Sequence, residues 1–188
     1  MDDGQALHVN DFDRREGGVT GMADKTNFTA DEWKLILESV VMVSVAITAA
    51  DPSGLLGLLK EGFAGGSTLA KAKMDPGTNS LIKAVVDDFG TSEGRAIAQD
   101  GVKQKLSGKQ PAEIKGLCIE TLQRAAAVVD AKAPADAPAF KSWLRELSQN
   151  VAEAASEGGG LFGIGGVQVS DAEKATLAEI ASALKLAA

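Results

Sequence analysis

From Phe28 onward, apolar residues recur at intervals of three and four along most of the chain, the period of helices that each bury one face. The clearest start is "FTADEW". There Thr29 and Glu32 make a capping box, in which the hydroxyl takes one unpaired backbone N–H and the carboxylate reaches back for another. Phe28 and Trp33 stand at its staple positions. The following "KLILESVVMVSVAITAA" is apolar around most of its circumference, which predicts a central helix. "ADPSG" ends it, with Asp51 as N-cap and Pro52 as the first residue of the next helix. That helix, "SGLLGLLKEGFAGGSTLAKAK", carries Leu55, Leu58, Leu59 and Phe63 at helical spacing, and Gly62, Gly65 and Gly66 predict a kink or break.

After a turn at "MDPGTN", the pattern gives a short amphipathic helix with Leu81, Ile82, Val85, Val86 and Phe89 on its apolar face. "TSEGRAIAQDGVKQKLSG" reads as a weaker helix. Pro111 opens "PAEIKGLCIETLQRAAAVVDA", a second helix of central character. "PADAPAFKSWLRELSQNVAEAASEG" places Phe140, Trp143, Leu144, Leu147 and Val151 on one face, and Ser170 with Glu173 forms a second capping box before "ATLAEIASAL". "LILESV" at Leu35–Val40 matches "LCIETL" at Leu117–Leu122 in kind at five of six positions under an offset of 82, which also carries Pro52 onto Pro134. The expected architecture is an all-α bundle of about six to eight helices with a pseudo-repeat of helical hairpins.

One stretch departs from helical periodicity. "GGGLFGIGG", from Gly158 to Gly166, holds six glycines and three apolar residues. Gly158 suits a left-handed helix cap, and two apolar runs joined by Gly165–Gly166 predict a two-residue hairpin turn. A short β-hairpin arm is therefore expected at Leu161–Val169. An isolated hairpin is marginal in water, so Leu161, Phe162, Ile164, Val167 and Val169 form a candidate interaction arm that must bury against the bundle or a partner.

Composition narrows the function. The chain has 188 residues, 45% hydrophobic and 24% charged, enough for one well-buried core. Residues 1–27 are acidic and aperiodic, which predicts a disordered tail ahead of a single helical domain at 28–188. Met1–Gly21 reads either as an extension or as the stretch before an alternative start at Met22. A net charge of −7 with scattered Lys and Arg argues against a nucleic-acid surface. Cys118 is the sole cysteine, which precludes an internal disulfide and fits a reducing compartment. No secretory pattern opens the chain, and the most apolar run, Leu35–Ile47, is short for a membrane span and is interrupted by Glu38. The expectation is a cytoplasmic protein without a transmembrane segment.

Catalytic, cofactor-binding and metal-binding residues are not apparent. His8, the only histidine, lies in the expected tail, and there is no tyrosine. Cys118 sits between apolar residues, where a thiol behaves as a small hydrophobe. The glycine order at Gly160, Gly163 and Gly165 does not follow a strand, as a dinucleotide fingerprint requires, and "LSGK" at Gly108 is a surface turn. "SLIK" (Ser80, Lys83) lacks the companion elements of a Ser–Lys nucleophile. Asp87, Asp88 and Glu93 fit no calcium-loop pattern. Glu38 and Glu120 occupy matching repeat positions and would face one another if the two helices met carboxylate to carboxylate. The simpler reading pairs Glu38 with Lys34 and Glu120 with Arg124 along their own helices.

Gly166, Val169, Ser170, Glu173, Leu177 and Ile180, within Gly166–Leu184, carry a G-x-[IV]-S-x-x-E-x-x-x-L pattern. This segment resembles TerB-like domains, small bacterial all-α proteins linked to tellurite resistance and stress response. The chain also resembles uncharacterised bacterial helical proteins with a similar "VSDAEKATLAEI" ending. The first resemblance implies a helical, stress-related protein. It implies no metal site here, because Gly165 replaces the family's usual Asp and its acidic cluster is not found. Two functions are expected from the sequence. One is a non-enzymatic interaction module, without a cofactor, that self-associates or holds a protein partner through the arm. The alternative is a bundle that binds a small apolar ligand or lipid under a Gly-rich lid.

Overall fold

The computed structural model describes residues 22–50, 66–158 and 169–186. Among them it has seven α-helices and no strands. These are α1 (Ala30–Ala50), α2 (Gly66–Met74), α3 (Ser80–Gly90), α4 (Ser92–Leu106), α5 (Pro111–Lys132), α6 (Ala137–Gly158) and α7 (Asp171–Ala183).

Helix α1 starts as its sequence dictates. The Thr29 N–H donates to Glu32 Oε2 at 2.8 Å, the Glu32 N–H donates to Thr29 Oγ1 at 3.3 Å, and the Phe28 and Trp33 rings pack with centroids 5.8 Å apart. That backbone hydrogen bond holds the Glu32 carboxyl below its usual range. The same reciprocal box opens α7, where the Ser170 N–H donates to Glu173 Oε2 at 2.8 Å and the Glu173 N–H to Ser170 Oγ at 3.2 Å. At α5, Pro111 follows Gln110, whose N–H donates to Glu113 Oε2 at 2.9 Å. Asn79 caps α3 and Thr91 caps α4. The "LSGK" turn places Gly108 at φ 73°, in the left-handed region that glycine adopts without a Cβ penalty.

The core forms around α1, whose side chains from Ile36 to Ile47 are almost all buried. It packs most extensively against α5, then α4, α6 and α7. Near its start, Glu32 lies 3.7 Å from Lys132, and past its midpoint Met42 Sδ lies 3.4 Å from Cys118 Sγ. The two contacts run in opposite senses along the chain, so α1 and α5 are antiparallel. The matching segments "LILESV" and "LCIETL" thus lie on the two central helices. The expected apolar faces close on the same core, with Phe140, Trp143, Leu144, Leu147 and Val151 of α6 and Leu81, Ile82, Val85 and Val86 of α3 all buried.

Three expectations change or fall outside the described residues. Residues 22–27, read with the tail, instead fold back onto the bundle. Lys25–Asn27 form a single 3₁₀ turn capped by Asp24, and Ala23 is buried. By length and composition α1, with 21 residues, is also long and apolar enough to cross a membrane, which the shorter apolar run did not reveal. Its most apolar window is 78% buried within the bundle. The helix at 53–65, its glycine break and Pro52 lie outside the described residues, as do residues 1–21.

Candidate functional site

Helix α1 packs extensively against both α4 and α5, whereas α4 and α5 make few contacts with each other. The gap between them is a groove of about 440 Å³ floored by α1. Leu35 of α1 and Ala127 and Val128 of α5 supply apolar side chains, and apart from Gly101 the remaining lining residues are charged or polar.

Glu38 is the unusual residue of this groove, because it is a carboxylate on the central helix and only 1% exposed. Burying a carboxylate is costly unless it is paired, and here Lys105 of α4 donates to Oε2. Lys34, one turn earlier on α1, approaches Oε1 at 4.0 Å, and Oε1 has no hydrogen-bond partner among the described residues. Gly101 explains how α4 comes so close. A Cβ at that position would lie 2.0 Å from Glu38 Oε1 and 2.9 Å from Lys34 Cε. The glycine that weakens α4 as a sequence is therefore the point at which its backbone lies over the carboxylate.

Arg124 faces the same groove from α5. The antiparallel register that sets Glu32 against Lys132 and Met42 against Cys118 brings Arg124 level with Glu38. It is exposed, and no ion pair within 4.0 Å joins it to Glu120 or to any other described residue. At this end of the groove Lys34, Lys105 and Arg124 thus surround one carboxylate. At the other end stand Asp31 and Glu32, the latter engaged by the Thr29 N–H and by Lys132. Of the sequence-level pairings, Glu38 with Lys34 is present but secondary to Lys105, and Glu120 is solvent-exposed. The two glutamates do not face each other. Lys105 lies 67 residues from Glu38 in the chain, and no local pattern pointed to it.

The other candidates have structural work. Ser80 Oγ donates to Asp136 Oδ1 at 3.0 Å, and Lys83 is exposed, so they do not form a nucleophile and base. Asp88 accepts from Trp33 Nε1 at 2.6 Å and from Lys25 Nζ at 3.1 Å. Among the described residues no three His, Cys, Asp or Glu side chains converge to hold a metal ion. Cys118 is fully buried, and burial pushes its thiol up to about 12, far from the reactive range. A second cleft of about 270 Å³ lies between α2, α3 and α6 and includes Trp143, whose buried Nε1 has no hydrogen-bond partner among the described residues.

Of the interaction arm, Leu161, Phe162, Ile164 and Val167 lie outside the described residues, as does the hairpin expected there. Val169 is described, and it is partly buried against the core just before the Ser170 cap. Among the residues of the TerB-like pattern, Ser170 and Glu173 make the α7 cap, Ile180 is buried in the core and Leu177 packs partly against it. Compared with protein-family models, with curated proteins and with solved structures, the chain matches none.

Proposed function

We propose that the protein is a non-enzymatic helical interaction module whose Gly-rich apolar arm, Leu161–Val169, engages a protein partner or a second copy of the chain. The observation that carries this reading is how the arm is mounted. Helices α6 and α7 pack on each other and on the core, and Val169 is already seated against that core. In the sequence, the run with Leu161, Phe162, Ile164 and Val167 joins these two helices, and a run of such side chains needs a surface to cover. The inert Cys118 thiol and the engaged Ser80 hydroxyl fit a binding role better than a chemical one.

Amide hydrogen exchange over residues 157–170 at low and high protein concentration tests the reading. Fast exchange at low concentration that slows at high concentration, with a mass by light scattering that falls on Phe162→Ser, supports self-association. Fast exchange at both concentrations supports a separate partner. Strong protection at both, in a monomer, would mean that the arm packs into its own bundle, and the proposal fails.

A further inference from the structure

We infer that the groove between α4 and α5 is a binding site for a small organic carboxylate, independent of the arm. Three observations point to it. Lys34, Lys105 and Arg124 line one end of the groove, where Glu38 is the one acidic side chain among them. Among the described residues Lys105 spends one of its three donors on Glu38 and keeps two, and Arg124 has no ion pair, so its planar fork can match a carboxylate in two-point fashion. Asp31 and Glu32 make the far end acidic, so the field along the groove draws an anionic head toward Arg124 and away from them.

Size and shape limit the ligand. A volume of about 440 Å³ is at the small end of ligand pockets, and Leu35 and Val128 give a short apolar tail a place to lie. Glu38 on the floor and the acidic far end disfavour a doubly charged anion, which selects a monocarboxylate over inorganic phosphate. Gly101 keeps the α4 wall low over the site, since a side chain there would displace both Glu38 and Lys34.

The test is calorimetric titration of the full chain at low ionic strength with sodium butyrate, butyramide and inorganic phosphate, each run also with Arg124→Gln. The expected result is saturable binding of butyrate, none of butyramide, weaker binding of phosphate, and a loss of about tenfold or more in butyrate affinity for Arg124→Gln. Arg124 is exposed, so the variant should melt at the same temperature as the parent without ligand. Absence of saturable butyrate binding, equal binding of butyramide, phosphate binding as tight as butyrate, or unchanged affinity in Arg124→Gln would each overturn the inference.

Discussion

Burial raises the Cys118 thiol from 9.0 to about 12, and the direction of that shift sets a pH dependence. In the unfolded chain the thiol ionises near its ordinary value, while in the fold it stays protonated. Above pH 9 the native state therefore binds more protons than the unfolded one, and stability falls as pH rises. Between pH 8 and 10 the parent should lose about 1 kcal/mol more than Cys118→Ala, measured by urea unfolding at each pH. The sequence has no tyrosine, so no phenol titrates across the same interval. A parallel fall in both proteins would show that the thiol is not the source. The apolar neighbours of Cys118 already marked it as a core residue. Glu38 is the opposite case. Its sequence setting suggested a pairing with Lys34 along its own helix, and its actual burial depends on a lysine and a glycine from a distant helix.

Elements differ in how far the sequence declares them. The starts of α1 and α7 were legible because Thr29–Glu32 and Ser170–Glu173 are complete local motifs that need nothing from the rest of the chain. The cap of α5 was not, because Gln110 lies outside the usual cap residues and the carboxylate of Glu113 does the work there. Helix α4 looked weak because Gly94 and Gly101 lower its propensity, yet both sit at close approaches. A Cβ at Gly94 would lie 2.2 Å from the Asp88 carbonyl oxygen, at the corner where α3 turns into α4. Gly116, exposed in the second turn of α5, has nothing within 4 Å of a Cβ placed there. Gly116→Ala should therefore stabilise the protein by about 0.5–1 kcal/mol, through helix propensity alone. Gly94→Ala should destabilise it by about 1–3 kcal/mol, because backbone must move. Thermal or urea unfolding of the pair checks the contrast, and two changes of the same sign would refute this account of α4.

At the scale of the molecule, the joints are buried carboxylates that collect donors from remote segments. Asp136, 6% exposed, accepts from the Ala23 N–H at 3.1 Å, Asn79 Nδ2 at 2.7 Å and Ser80 Oγ at 3.0 Å. It ties the first described residues and the start of α3 to the start of α6. Removing the carboxylate leaves those donors without their acceptor. Asp136→Ala should cost about 2–4 kcal/mol and should speed amide exchange at residues 23–28 more than in α7. A uniform increase across the chain would mean that Asp136 contributes global stability without holding that segment. This joint and the groove were beyond sequence reasoning for one physical reason. Their parts are brought together only by packing, and their spacing along the chain carries no period.

The central position of α1 has a further consequence during synthesis. The helix is made before α5, its main partner, which ends on the order of eighty residues after it. At roughly 5–20 residues per second, the ribosome leaves this apolar helix without its main cover for roughly 4–16 s. A segment of membrane-spanning length and composition, exposed for that time, is a natural client for a nascent-chain chaperone. Slowing translation between α1 and α5 should therefore lower the soluble yield more than slowing it after α6.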